Sequence, residues 1–331
     1  MNTERLPEQE TLLAALALAV RAPSIHNSQP WKWRIGDESV HLYADPSRQL
    51  PHTDPTRRDL IVSCGVALQH FTVALAALGW QTHVHRLPNP ADPDHLASVE
   101  ICGESGSEQD IALAAAIPRR RTDRRVYSSW PVPAGDIALM ASRAARCGVM
   151  LRRLESPGAL RTVITSAVRE HCEDSEYLAE LSMWSGRFGA VAGVPARNTP
   201  AVDAHSGVPG RVFANPSLRQ PAGAEARDDA GVLLALGTAT DDPLAVLRAG
   251  EATGVILLTA TALGLSSCPV TEPLEIEATR EAVRTSALGG DGFPQMLLRI
   301  GWAPLNADPL PATPRRPLTE VVARLDGASI G

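Results

Sequence analysis

The spacing of apolar residues predicts that this chain alternates between helices and strands. In the first third, apolar residues recur at helical spacing over 8–20, 57–78 and 109–117. Shorter apolar segments bounded by turn residues predict strands at 31–35, 40–44, 82–86 and 97–102. The first two strands flank Gly36-Asp37-Glu38-Ser39, so we expect them to form a hairpin.

The remainder of the chain repeats this alternation, with one long interruption. Helices are predicted from Pro133 onward and at 161–171, 243–263 and 274–288, and strands at 149–154, 231–237 and 296–302. Between 186 and 228 the chain is rich in Gly, Pro, Ala and Asn and has no period. Aperiodic segments of that length are usually lids, binding loops or disordered linkers, and we expect a lid here.

Two helical windows, 65–79 and 250–264, resemble each other. Both begin with Gly and end with Ala-Leu-Gly, and each precedes a polar turn and an extended segment. Ala-rich helices that stop at Gly also look alike by chance, because Gly is common after helix ends. The matching flanks favour an internal duplication, with halves 1–115 and 116–331 related as the subunits of a homodimer are.

Composition restricts the classes of function. The chain has 331 residues, 44% of them hydrophobic, and a net charge of −6. That balance argues against a dedicated nucleic-acid binder. Five scattered cysteines without a CxxC pair suit a reducing cytoplasm, and the apolar run 12–20 is too short to span a membrane. His83 and His85 share a strand face, but no neighbouring ligand completes a metal site, so none is expected.

The stretch from Arg21 to Trp33 concentrates hydrogen-bonding side chains. Ser24, His26, Asn27 and Gln29 lie between two prolines, and Trp31 opens the strand that follows. This composition predicts a helix-to-strand loop suited to a flat ligand with a polar rim.

Two arginine clusters and one glycine turn are the other candidate binding features. Pro118 to Arg125 contains five arginines, and Arg315 and Arg316 follow a proline-stiffened approach. Arginine binds phosphate in a bidentate manner, so the clusters favour a convergent phosphate pocket, although a solvated basic linker remains the alternative. The turn at 264–272 would let a backbone approach a ligand closely, or it is an ordinary helix stop.

Together these motifs resemble the nitroreductase family of flavin enzymes. The resemblance rests on Ala22-Pro23-Ser24-(x2)-Asn27-(x)-Gln29-Pro30-Trp31, Arg120-(x)-Thr122-(x)-Arg124, Ala262-Leu263-Gly264-Leu265-Ser266-Ser267 and Pro314-Arg315-Arg316-Pro317-Leu318. Over its full length the chain is similar to the dormancy-associated Acg-type proteins of mycobacteria, which resemble two fused nitroreductase subunits. The resemblance implies an α+β, nitroreductase-like fold made of two fused halves related by a pseudo-two-fold axis.

The resemblance also implies an FMN site. Its phosphate would be held by Arg120, Thr122 and Arg124 and by Arg315, with Arg316 as a further candidate. The isoalloxazine would face the loop residues Pro23, Ser24, His26 and Asn27 and the backbone of Pro269, Val270, Thr271 and Glu272. His26 is either a proton donor or flavin contact or a satisfied loop histidine. Because the arginine motif occurs once, we expect one FMN per chain in a monomeric pseudo-dimer.

The resemblance implies one function, and the long 186–228 segment together with the lack of an identifiable general acid motivates a second. One is an NAD(P)H-dependent oxidoreductase that acts on nitro or quinone-type acceptors. The other is a protein that stores or sequesters FMN beneath the 186–228 lid, with little or no reductase activity. No side chain in the sequence is identifiable as a general acid, so the catalytic residues are left open. Flavin chemistry tolerates that absence, because the protein supplies mainly position and electrostatics.

Overall fold

The computed structural model describes residues 7–104, 106–154, 157–187, 190–201, 208–223 and 225–329. The helices are α1 Gln9–Ala19, α2 Arg58–Ala77, α3 Glu108–Ala116, α4 Ala134–Arg146, α5 Pro157–Glu173, α6 Ser175–Trp184, α7 Pro243–Ala262, α8 Glu277–Leu288 and α9 Leu318–Val321. The strands are β1 Trp31–Ile35, β2 Ser39–Ala44, β3 Trp80–Arg86, β4 His95–Glu104, β5 Met150–Arg153, β6 Ser185–Arg187, β7 Val194–Pro195, β8 Val232–Thr238, β9 Ser266–Pro269, β10 Phe293–Gly301 and β11 Val322–Arg324. The predicted α+β class is confirmed.

Two larger sheets share one strand order. The first runs β11-β1-β2-β4-β3 and the second runs β5-β8-β10-β9. Leaving β11 aside, each sheet has four strands. If these are numbered in chain order within each sheet, both sheets have the spatial order one, two, four, three. The exception is β11, which comes from the end of the chain and lies parallel to β1, with Trp33 opposite Val322. The chain thus returns from the second sheet to complete the first.

Helices α2 and α7 cross between the two sheets at a pair of glycines. A Cβ atom added to Gly65 would lie 2.3 Å from the Leu247 carbonyl oxygen, and one added to Gly250 would lie 2.3 Å from the Val62 carbonyl oxygen. Only glycine allows backbones to approach this closely. These are the glycines that begin the two similar sequence windows.

Both crossing helices are long and apolar enough to span a membrane by length and composition. Their apolar windows are, however, 72% and 83% buried inside the protein. Leu247 of α7 packs in the core of the first sheet, and Val62 of α2 packs in the core of the second. The apolar character of α2 and α7 is therefore explained by their place between two cores.

The element predictions agree with the structure to within a few residues, with local differences. Helix α6 was not predicted; the Asp174 side chain begins it by accepting hydrogen bonds from the backbone N–H groups of Glu176 and Tyr177. The helix predicted over 274–288 begins at Glu277, because a 3₁₀ turn occupies Glu272–Leu274. At the start of α2, Asp54 Oδ2 accepts from the Leu60 N–H at 2.7 Å.

The described parts of the 186–228 segment consist of short strands, 3₁₀ turns and extended chain. Positions 188–189, 202–207 and 224 of the predicted lid lie outside the described residues. The absence of a hydrophobic period in the sequence agrees with this irregular structure.

Candidate functional site

A cavity of about 180 Å³ lies between α2 of the first half and the arginine-rich and β9 regions of the second. Nine of the predicted site residues line it: Pro23, Ser24, His26, Thr122, Arg124, Pro269, Val270, Thr271 and Glu272. A single buried water needs only about 10–15 Å³ on this measure, so the cavity can hold a much larger ligand. Three sequence motifs that are far apart in the chain therefore converge on one space.

The loop after α1 presents His26 to this cavity. His26, Asn27 and Gln29 all adopt left-handed backbone conformations, with φ of 44°, 54° and 53°. The loop is held by Ser24 Oγ, which accepts from the Gln29 N–H at 2.9 Å, and by Ser63 Oγ of α2, which accepts from the Ile25 N–H at 3.0 Å. Three left-handed conformations among the four residues 26–29 indicate that the backbone of this loop is strained in order to set the directions of its side chains.

The His26 ring is buried, and neither ring nitrogen has a hydrogen-bond partner among the described residues. Burial lowers the pKa of His26 well below its usual value, and the nearby charges of Arg211 and Arg124 lower it further. The ring is therefore neutral at pH 7, with one donor and one acceptor nitrogen available to a ligand.

Arg124 supplies positive charge to the same cavity. Its Nη1 donates to the Asn198 carbonyl oxygen at 3.2 Å, and its guanidinium lies 4.9 Å from the centre of the Phe213 ring. Burial lowers its pKa, although the guanidinium remains charged at neutral pH. No carboxylate of the described chain forms an ion pair with it, so the charge is free to attract an electron-rich ligand edge.

The first arginine of the motif faces a separate, smaller pocket. Arg120 lines it together with Arg21, Arg121 and Arg315. Burial and the neighbouring arginines lower the pKa of Arg120 to about 10 and that of Arg315 to about 9. Arg120 Nε and Nη1 have no hydrogen-bond partner in the part of the chain that the structure describes. None of these four guanidinium groups forms an ion pair with a carboxylate of the described residues, and such a cluster suits a multiply charged anion.

Two predicted residues lie outside both pockets. Asn27 is buried, with its Nδ2 donating to the carbonyl oxygens of Gly193 and Pro314 and its Oδ1 accepting from Arg315. Arg316 donates through its backbone N–H to Gln29 Oε1 and through Nε to Glu320. Both side chains join the end of the chain to the first half.

The β9 turn is joined directly to the arginine motif. Thr122 forms a β-bridge with Ser267, and the Asp123 N–H donates to the Ser267 carbonyl oxygen at 2.9 Å. In the 269–272 segment, whose backbone was predicted to approach the ligand, the Val270 N–H already donates to the Leu297 carbonyl oxygen at 2.8 Å. The turn is therefore a fixed wall of the cavity.

The predicted lid segment forms another wall of the cavity. Arg211 bonds to Tyr177 Oη, Thr271 Oγ1 and Glu275 Oε1, which ties the segment to α6 and to the β9 turn. The Tyr177 ring in turn stacks on His171, with centroids 3.8 Å apart. His171 Nδ1 lies 3.1 Å from Glu272 Oε1. The segment is therefore latched by buried polar contacts.

Sequence reasoning missed the contribution of α2. Asp59, Val62, Ser63 and Val66 of this helix line the cavity. The sequence signal for this contribution was a pair of polar residues four positions apart in an otherwise apolar helix. Positions i and i+4 are neighbours on a helix surface, so such a pair forms a polar patch. Asp59 and Ser63 have that spacing.

These features define an α+β protein that encloses a cationic cavity between two sheets of like strand order. The chain belongs to the nitroreductase family, a family of oxidoreductases, because the model described as "Nitroreductase family" matches residues 117–302. A protein of Mycobacterium tuberculosis strain H37Rv named "Putative NAD(P)H nitroreductase" is 59% identical over 322 residues, which cover 97% of this chain and 93% of the relative.

A second relative extends the comparison. The "Putative NAD(P)H nitroreductase acg" of the same strain is 36% identical over 321 residues, covering 94% of this chain and 95% of the relative. The resemblance to Acg-type proteins is thereby confirmed. Among solved structures, the FMN-dependent nitroreductase NfnB of Mycobacterium smegmatis in complex with NADPH is 15% identical, covers 64% of this chain and 97% of its own, and gives a TM-score of 0.39. That last likeness is too weak to bear on the site.

Proposed function

We propose that this protein binds one FMN across the cavity and the arginine pocket and is an NAD(P)H-dependent oxidoreductase. The observation that carries the proposal is the convergence of nine residues of the flavin motifs on one cavity, beside a cluster of arginines that form no ion pair with a carboxylate of the described residues. The donor set fits the cofactor. A neutral imidazole and one unpaired guanidinium suit the rim of a heterocycle, and the buried N–H groups of Arg120 suit a phosphate.

Each group of residues has a distinct role in this proposal. Arg120 and Arg315 would hold the phosphate, with Thr122 at the junction between the pockets. His26 and Arg124 would contact the ring system, and the Pro269–Glu272 turn would fix its position. When bound, FMN supplies the hydride chemistry, and the chain contributes orientation and electrostatics.

The acceptors we propose are nitro or quinone-type compounds. The test is anaerobic stopped-flow mixing of the FMN-loaded protein with NADH or NADPH, followed by the flavin absorbance. We expect at least one nucleotide to bleach it, and a subsequent nitroaromatic or quinone to restore it. Protein that binds FMN but is bleached by neither nucleotide would contradict the reductase proposal.

The latched segment favours a second candidate function, storage or sequestration of FMN. Arg211 and Phe213 belong to the 186–228 segment and line the cavity. The segment therefore covers a space that would be more open without it. In an Arg211→Met variant the latch to Glu275 is lost, so storage predicts faster FMN release and faster reduction than in wild type. The exposed Arg219 provides the matched control, Arg219→Met. Equal rates in both variants and wild type would refute the storage role.

We further propose that the two halves, 1–115 and 116–331, are fused copies that act together as a monomeric pseudo-dimer. Support comes from the shared strand order and from the glycine crossing of α2 and α7. The start of the first half, through Leu6, lies outside the described residues. Sedimentation and the flavin-to-protein absorbance ratio test this; two FMN per chain would contradict it. The five free cysteines agree with action in the cytoplasm.

A further inference from the structure

Asp59 is an acidic residue in the wall of this cationic cavity. It lies in the first turn of α2, is 2% exposed and lines the cavity beside Ser63. Neither carboxyl oxygen accepts a hydrogen bond from the described residues. Arg58 Nη2 lies 2.8 Å from Asp59 Oδ1, but the two are not aligned as a hydrogen bond, and Arg58 Nη1 donates instead to the Gln295 carbonyl oxygen.

The neighbouring carboxylates are better supplied with donors. Asp54 accepts from the Leu60 N–H at 2.7 Å. Glu275 Oε1 accepts from Arg211 and from Thr271 Oγ1. An ionised carboxylate in a buried site is stabilised mainly by such hydrogen bonds. Asp59 is therefore the member of the group for which ionisation is least favourable.

The charge balance around Asp59 points the same way. The charged groups that face it are Arg58 on its own helix, Asp54 on the preceding loop, Arg211 on the covering segment and Glu275 before α8. Three carboxylates face two guanidinium groups, so a fully ionised group has an excess of one negative charge. Burial is the largest cause that raises the pKa of Asp59, and with the carboxylates of Asp54 and Glu275 it raises that pKa to about 7.

We propose that Asp59 is a ligand-recognition residue that, in its protonated form, donates a hydrogen bond to an acceptor atom of the heterocycle in the cavity. Binding then takes up a proton at and above neutral pH. This inference rests on the proposed FMN site. It adds to that site a proton-bearing side chain from α2, which lies in the half of the chain that does not carry the arginine motif. A ring N–H that donated to ionised Asp59 would give the reverse dependence on pH.

The size of the effect follows from linkage. With a carboxyl pKa of about 7 in the free protein, raised by one unit or more in the complex, the dissociation constant rises about five- to tenfold between pH 6 and pH 8. Asp59→Asn keeps the size of the side chain and a donor N–H, so it imitates the protonated acid. We expect its affinity for FMN to match wild type at pH 6 and to exceed it five- to tenfold at pH 8.

The experiment has two parts. FMN affinity is measured by quenching of flavin fluorescence for wild type, Asp59→Asn and the control Asp37→Asn. The Asp37 side chain is 95% exposed in the β1–β2 turn, so its variant should follow wild type. At each pH the affinity of a variant is divided by that of wild type. Ionisation of the FMN phosphate affects both affinities equally, so it cancels in this ratio. Independently, ¹³C NMR of aspartate-labelled, ligand-free protein should show one carboxyl that titrates near 7 and is absent from Asp59→Asn.

The outcomes separate the two proposals. If the protein binds FMN but the Asp59 carboxyl titrates near 4, the role of Asp59 is refuted and the flavin site is not. The same holds if Asp59→Asn binds FMN more weakly than wild type at every pH. Failure of wild type to bind FMN at any pH would refute the flavin site, and the role of Asp59 with it. A ratio of Asp59→Asn affinity to wild-type affinity that does not change between pH 6 and pH 8 would overturn the proton coupling.

Discussion

Gly65→Ala should destabilise the protein by forcing α2 and α7 apart. The new Cβ atom would lie 2.3 Å from the Leu247 carbonyl oxygen and 2.9 Å from Gly250 Cα. Ordinary contact requires a separation of about 3.5 Å, so the helices must move apart by roughly 1 Å at the crossing. A gap of that size forfeits a quarter to a half of the dispersion energy of the facing atoms.

The net cost combines two opposing effects. Overpacking costs about 1–3 kcal/mol, whereas replacing glycine by alanine within a helix gains about 0.8–1 kcal/mol. We therefore expect a net loss of up to about 2 kcal/mol for Gly65→Ala, measured from urea unfolding midpoints. Gly250→Ala should cost the same, and the double variant less than the sum, because both substitutions open one contact.

The control is Gly135→Ala in α4, where an added Cβ would meet no atom within 4 Å. There the helix propensity acts alone, and we expect stabilisation by about 0.5–1 kcal/mol. Gly65→Ala should also weaken FMN binding, because α2 carries one wall of the cavity. If Gly65→Ala shifted the midpoint upward as Gly135→Ala does, the close crossing would be refuted.

Three further predictions concern the site. Arg120→Ala should weaken FMN binding about 10- to 100-fold in fluorescence titrations, since hydrogen bonds to charged groups contribute about 1.5–3 kcal/mol, while Arg119→Ala on the exposed side should change little. Asn27→Leu should weaken FMN binding less than Arg120→Ala but lower the thermal midpoint more, because the buried Gly193 carbonyl oxygen loses its Asn27 donor and the Arg315 guanidinium loses one of its acceptors. Burial raises the pKa of the Cys268 thiol, so thiol reagents should label Cys268 far more slowly than the exposed Cys172. Added FMN should slow the labelling of Cys268 further. Equal labelling rates for the two cysteines would contradict a closed cavity.

The periodic parts of this fold could be predicted from sequence because local patterning decides them. Helix α2 and strands β1 and β2 follow from apolar spacing and from one four-residue turn. The cavity-lining loop around His26 could be recognised as a binding loop because its polar side chains exceed what a connection needs. The other cavity residues, in the arginine motif and the 269–272 turn, were assigned through the family resemblance, because their local pattern also fits a basic linker and an ordinary helix stop.

The missed features depend on partners that are distant in the chain. Asp59 is one polar residue in an apolar helix, and its position at the cavity follows only from the α2–α7 crossing. Arg211 lies in an aperiodic segment, and its contacts with Tyr177 and Glu275 come from elements with which it shares no pattern. Arg316 stays a predicted phosphate contact, and its ion pair with Glu320 is a partner that the sequence pattern does not reveal.

The proposed fusion accounts for why one cavity carries the binding chemistry. Both halves place a helix before the first strand of their sheet, but the connection from α1 to β1 spans 20–30, whereas that from α4 to β5 spans only 147–149. The second half therefore lacks room for a loop like the one that holds His26. Conversely, the first half joins β1 to β2 through the short turn at 36–38, whereas the second half inserts α5, α6 and the covering segment between β5 and β8. In a dimer of identical subunits the axis would generate both features twice. Within one chain each half can specialise, so under the proposed fusion the loop from the first half and the arginines and covering segment from the second would build one shared site.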